Sequence, residues 1–150
     1  MRRDETWCRV LFVMALVVTQ AVSAATKQPN VIVVFIDDLG WTDLGCYGSK
    51  FYETPHIDQL AKQGVMFTRA YSSCNVCSPT RASLMTGKYP QRVGFTSWLN
   101  PGKPSGANSA ATHLPASETT IGEAFQQAGY RTGYIGKWHV GSKKFGMPKQ

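Results

Sequence analysis

A chain of 150 residues, 43% hydrophobic and 17% charged, is long enough for one core of ordinary size and too balanced in composition to be disordered as a whole. Its formal net charge of +7 admits nucleic acid, an anionic surface or an anionic substrate as a partner. No Lys/Arg run or nucleic-acid motif focuses that charge, which argues against nucleic acid, and no internal repeat or second composition-defined domain is present.

Residues 1–25 are a different kind of sequence. Arg2, Arg3 and Arg9 lead into an apolar run from Val10 to Val18, and the small, polar stretch from Thr19 to Ala25 follows. A basic flank, a short apolar core and small residues at a cleavage point read as a secretory signal peptide, and cleavage after Ala24 or after Ala25 fits equally well. The run is short for a bilayer span, which takes ~20 apolar residues. The expectation is an exported protein, periplasmic or extracellular, that meets the membrane only through its signal during export. Residues 26–150 are then the mature domain. Exported proteins meet an oxidising compartment, where cysteines usually pair. Cys8 leaves with the signal, so Cys46, Cys74 and Cys77 remain; the number is odd, and one must be free, intermolecular or chemically altered.

Asn30 to Ile36 is a continuous β-branched and aromatic run, the pattern of a strand buried on both faces. It ends at Asp37-Asp38-Leu39-Gly40. Successive strand side chains point to opposite faces, so two adjacent carboxylates serve one site only if the chain leaves regular strand geometry there. Trp41 to Tyr52 reads as loop. Thr54-Pro55 is the pattern of an N-cap followed by proline at the first helical position, with an apolar stripe at Ile57, Leu60 and Ala61 and a stop at Gly64. Val65 to Tyr71 reads as a short strand. A second helix begins just past Cys77, carries Pro79 in its first turn and ends at Gly87. Tyr89 to Pro115, rich in Pro, Gly, Ser and Asn, reads as a long surface loop. Thr120 and Glu123 stand at capping-box spacing ahead of a third helix that ends at Gly129, and Arg131 to Ile135 reads as a strand. Alternating strands and helices predict an α/β fold on a parallel sheet.

Cys77 lies just ahead of a helix N-terminus, where backbone N–H groups and the helix dipole favour negative charge, and Arg81 is one turn further on. A nucleophile beside a fixed cation and open amides is an arrangement that receives an anionic group. The competing reading is a thiol pair, since Cys74-Asn75-Val76-Cys77 has redox or zinc spacing, although zinc would need a second such pair. Lys137 and His139, two apart on an extended segment, face the same side while Trp138 faces away. His56 and His113 read as structural, and the stripe at Ile57, Leu60 and Ala61 as core.

Cys77-Ser78-Pro79-Thr80-Arg81, continued by Ala82 to Gly87, resembles the first signature of the sulfatase family. The segment from Gly129 to His139 resembles its second. Asp37-Asp38-Leu39-Gly40 and Thr54-Pro55-His56-Ile57-Asp58 fall in the expected order before the first signature, so the likeness extends over nearly all of the mature chain. The resemblance implies an alkaline-phosphatase-like parallel-sheet α/β domain of which this chain is the N-terminal part, incomplete at the C-terminus. It further implies that a separate maturation enzyme oxidises Cys77 to formylglycine, whose hydrate hydrolyses sulfate esters by covalent catalysis. Asp37, Asp38 and the position-77 oxygen would ligate a divalent cation, calcium or else magnesium. Arg81 would hold the position-77 hydroxyl, Lys137 would bind a sulfate oxygen, and His139 would accept a proton during sulfate release. A sulfated polysaccharide would suit a basic, exported enzyme of this kind. Two alternatives stay open: a non-catalytic truncated remnant, and a phosphate or phosphonate monoester hydrolase of the same superfamily. Oxidation of Cys77 would leave an even number of thiols and permit, without requiring, a Cys46 to Cys74 bridge.

Overall fold

The computed structural model describes residues 28–100 and 111–141, so the expected signal peptide at 1–25 and the middle of the expected long loop lie outside the described residues. The chain divides into two units, residues 1–35 and 36–150. Within the first, residues 28–35 carry no regular element, and Val31, Ile32, Val33, Val34 and Phe35 are all exposed, Ile32 at 87%. All the elements that follow belong to the second unit.

Among the described residues of the second unit are three α-helices and two short 3-10 turns: α1 (Pro55–Gln63), α2 (Cys77–Thr86), α3 (Ile121–Gln127), and turns at Gly45–Tyr47 and Pro90–Val93. Each helix ends where its sequence says it must. Gly87 follows α2 in the left-handed conformation at φ 66, and its N–H bonds the Ser83 carbonyl at 2.8 Å, a stop that any side chain would strain. At the start of α3 the capping box is complete: Glu123 N–H donates to the Thr120 hydroxyl, and the Thr120 N–H donates to the Glu123 carboxylate at 2.7 Å. That carboxylate is held below its ordinary pKa because the Thr120 N–H and hydroxyl both donate to it.

Thr54 departs from its expected role. It makes no side-chain cap on α1; its hydroxyl accepts the Gly45 N–H at 2.8 Å and donates to Asp58 at 2.9 Å, while Asp58 also accepts the Cys46 N–H at 2.7 Å. Residues 54 and 58 therefore clamp the turn at 45–47 against α1. A Cβ on Gly45 would lie 2.4 Å from the Asp58 carboxylate, so the clamp requires glycine there.

The predicted strands at 30–36, 65–71 and 131–135 are not present among the described residues, whose nearest approach to a ladder is an isolated bridge at Asn100. A strand exists only when another backbone satisfies its N–H and C=O groups, and β-branched sequence alone does not supply one. Their side chains are exposed accordingly: Val65 at 80%, Phe67 at 71% and Ile135 at 100%. The apolar stripe of α1 is corrected in the same way, since no residue of α1 is buried and Leu60 is 67% exposed.

The core lies elsewhere, and partly inside the segment expected to be surface loop. Ala82 of α2 packs with Val93, Phe95, Leu99 and Val140, and Ala111, Leu114 and Trp138 close around them. Phe95 and Val140 are completely buried. The turn at Pro90–Val93 and Gly94, at φ 81, bend the chain so that residues 93, 95 and 99 reach α2. The Leu114 N–H donates to the Val140 carbonyl at 2.7 Å, joining the C-terminal described segment to the same core. On the outside, Lys88 and Glu118 pair at 2.5 Å.

Candidate active site

Cys77 is the first residue of α2, with Val76 as an extended N-cap that offers no side-chain bond, so no side chain caps the amides of the first turn. The approach to Cys77 is braced. The Cys74 carbonyl accepts from the Thr80 hydroxyl at 2.7 Å and from the Ser72 hydroxyl, so α2 itself holds the turn that delivers the cysteine. Cys46, Cys74 and Cys77 are all free thiols: no bridge joins Cys46 to Cys74, and the Cys74 and Cys77 pair is not oxidised.

Arg81 is 5% exposed. Its guanidinium reaches away from α2 to three groups at once: Asp37 at 2.9 Å, the Lys137 carbonyl, and the Tyr134 hydroxyl at 3.4 Å. Lys137 returns from the other side to pair with the second Asp37 oxygen at 2.5 Å. The Tyr134 hydroxyl donates to the Lys137 carbonyl, so one peptide oxygen is shared by Tyr134 and Arg81. Three sequence motifs, 44 and 56 residues apart as counted from Arg81, thus meet at one carboxylate.

The electrostatics follow from that geometry. The Lys137 hydrogen bond, and after it the Arg81 bond, lower the Asp37 pKa to about 2. Asp37 in turn raises the Lys137 pKa, with a smaller push in the same direction from Cys77. Two cations against one carboxylate leave the cluster with spare positive charge, which is what an incoming anion needs.

Asp38 and His139 are the two non-glycine residues with positive φ among the described residues, at 57 and 53. The left-handed backbone at Asp38 leaves its side chain exposed while Asp37 faces the cations, so the two carboxylates expected to share a site are not brought together here. His139 faces inward instead. Its Nε2 lies 3.1 Å from the Leu99 carbonyl.

Of the predicted residues, Asp37, Arg81 and Lys137 are in direct contact, Cys77 stands one helical turn before Arg81, and Asp38 and His139 adjoin the cluster in sequence. Sequence reasoning assigned no role to Tyr134, Thr80 or Ser78, although all three lie inside the recognised signatures; hydroxyl groups at fixed offsets from Cys77 and Lys137 were the available signal. His56 is exposed, and the His113 ring lies 3.1 Å from the neighbouring Thr112 hydroxyl.

The donors of Asp37 and Asp38 have the chemistry of a hard-cation site, but they do not complete one. Among the described residues no group of three or more His, Cys, Asp or Glu side chains is placed to hold a metal ion, and both Asp37 oxygens are taken by Arg81 and Lys137. A calcium ion takes about six to eight oxygen ligands.

Comparison with known proteins identifies a family over most of the chain. The family model described as Sulfatase matches residues 29–149. Human steryl-sulfatase is 41% identical over 133 residues, covering 89% of this chain and 23% of that protein. Human arylsulfatase A is 43% identical over 119 residues, covering 79% and 22%. A structure solved in work on the metabolism of multiple glycosaminoglycans by Bacteroides thetaiotaomicron superposes with a TM-score of 0.66 at 42% identity, over 77% of this chain and 23% of that one. The chain thus spans less than a quarter of the length of these relatives. With its ordered motifs meeting at Asp37 and a family match over residues 29–149, the chain belongs to the sulfatase family.

Proposed function

We propose that this chain is the nucleophile-bearing part of a sulfuric ester hydrolase. The observation that carries the reading is the convergence of Arg81 and Lys137 on Asp37, one turn from Cys77, because it joins the three family motifs in one positively biased cluster. The parallel sheet belongs to the same proposal: residues 30–36, 65–71 and 131–135 become strands of an alkaline-phosphatase-like α/β domain when neighbouring backbone pairs with them. Residues 1–25 are proposed as an export signal, with residues 26–150 exported to the periplasm or outside the cell.

Cys77 is the site at which a maturation enzyme would make formylglycine. Replacing CH2–SH by CHO is an oxidation with loss of sulfur, so that enzyme must bring an external oxidant. Hydrated formylglycine supplies one hydroxyl to attack sulfur and a second whose deprotonation expels sulfate, which neither serine nor cysteine offers. The chain's own residues arrange the rest. The open first turn of α2 and the Arg81 guanidinium favour an ionised oxygen at position 77. Lys137, exchanging its bond to Asp37 for one to the substrate, holds a sulfate oxygen. His139 accepts the proton of the second hydroxyl. Asp37 and Asp38 would supply two oxygens to a calcium or magnesium ion, and the remaining ligands are not among the described residues.

The substrate is proposed as a sulfate ester, with a sulfated polysaccharide favoured by the net charge of +7. A tetrahedral phosphate or phosphonate monoester would meet the same cations. A second reading, a non-catalytic remnant that depends on a partner, rests on the exposed run Val31 to Ile36. Sulfate release by a complete domain carrying this segment separates the readings. Cys77→Ala is expected to abolish turnover with the fold intact; undiminished release in that variant contradicts the formylglycine mechanism, and faster release of phosphate than of sulfate favours the phosphoesterase.

A further inference from the structure

One hydrogen-bonded path links the residue after Cys77 to His139. Ser78 lies in the first turn of α2 and is fully buried, and its Oγ accepts the Leu99 N–H at 2.9 Å. The carbonyl of the same Leu99 faces His139 Nε2 at 3.1 Å. A carbonyl oxygen can only accept, so Nε2 carries the hydrogen. In the neutral ring that leaves Nδ1 with its lone pair, and Nδ1 is buried without a hydrogen-bond partner.

The residues around the ring keep it there. The His139 backbone is in the left-handed region at φ 53, a conformation that persists only where the surroundings over-determine it. Val140 beyond it is fully buried and accepts the Leu114 N–H, and Trp138 before it packs on the core and meets Tyr134 edge to face at 5.3 Å. Leu99 is itself 7% exposed and part of the core, so neither end of the path can shift freely.

We propose that Ser78 is a positioning residue, which by fixing the Leu99 backbone holds His139 as its Nε2–H tautomer and makes Nδ1 the atom that takes the proton from the position-77 hydroxyl. The inference rests on the sulfatase reading above and adds which nitrogen acts and what orients it. In that step the hydroxyl O–H bond breaks and an N–H bond forms at Nδ1. The oxygen's electron pair moves into the carbonyl as the bond to sulfate breaks, and the imidazolium then gives its proton to water. The Nε2–H bond to Leu99 is kept throughout.

Heteronuclear NMR of the 150-residue chain with isotope-labelled histidine reads the tautomer whether or not the chain turns over an ester, and the 3 histidines are assigned by single variants. The expected result is a single Nε2–H signal set for His139 in the wild type, a mixture of tautomers in Ser78→Ala, and restoration in Ser78→Thr, which keeps the hydroxyl. An Nδ1–H ring in the wild type overturns the proposal, and that reading stands even if Ser78→Ala fails to fold. A folded Ser78→Ala with an unchanged tautomer overturns it as well. In a complete domain, Ser78→Ala is expected to lower kcat about tenfold at constant KM, whereas a raised KM at constant kcat contradicts the assignment. Absence of sulfate release by the wild-type domain sinks the sulfatase reading of the site, and leaves the tautomer result to decide the Ser78 path separately.

Discussion

Two regions of this chain carry their apolar residues to opposite fates. From Cys77 to Leu99, α2 and the bent segment after it bury Ser78, Pro79, Arg81, Ala82, Met85, Pro90, Val93, Phe95 and Leu99. From Val31 to Ile36 six consecutive apolar residues are all exposed, between 42% and 87%. The difference is in how each satisfies its backbone. A helix closes its own hydrogen bonds and needs only a face to pack, so α2 gathers a core from Val93, Phe95 and Leu99 just after it, which Val140 completes. An extended run must borrow partners from elsewhere. The nucleophile's side of the site is therefore built mostly from neighbouring residues, while Asp37 is held to it through ion pairs.

The contrast predicts a steep gradient of mutational cost, measured by denaturant unfolding. Phe95→Ala, at a fully buried position, is expected to cost about 3–5 kcal/mol. A loss under about 1 kcal/mol there would mean that the core is not packed as described. Arg81→Ala is expected to cost about 3 kcal/mol, because it removes a buried cation from Asp37 and from the Lys137 carbonyl. Lys137→Ala breaks a more exposed pair and is expected to cost under about 1 kcal/mol. If the two losses proved equal, the cluster would not be anchored through α2.

Smaller effects sharpen the same comparison. Thr120→Ala removes the capping box of α3 and is expected to cost about 1 kcal/mol. The pH dependence has a definite sign. The folded-state pKa of Glu123 is lowered, so its contribution is present above the unfolded-state value and disappears as pH falls through the folded-state one. Glu123→Gln should accordingly flatten the acid limb of the stability curve, and an unchanged limb would contradict the box. Ile32→Ser, at 87% exposure, is expected to change stability by less than about 0.5 kcal/mol. A large loss there would show that the run is already partnered.

How much of this could be read from the sequence depended on the range of the interaction. The ends of α2 and α3 were legible because Gly87, Thr120 and Glu123 act within one turn. That Asp37 and Asp38 face different ways was not legible, because the left-handed backbone at Asp38, φ 57, is a property of the folded loop. The site residues were legible as types at recognised spacings, but the clamp on Asp37 was not, since Arg81 and Lys137 reach it across 44 and 100 residues. The strands are legible as β-branched runs but not formed among the described residues, because pairing is not a property of one segment. Val93, Phe95 and Leu99 were hidden by the prolines and glycines around them, which read as loop although they supply the bends that carry those side chains inward.

The central claim, that Cys77 is a precursor and not a working thiol, is tested most directly by the mass of the peptide that contains it. After co-production of the chain with a formylglycine-forming maturation enzyme, the account predicts a peptide lighter by about 18 Da at position 77, the change from CH2–SH to CHO. A Cys77 peptide that keeps its full mass under those conditions, or is found disulfide-bonded to Cys74, would contradict it.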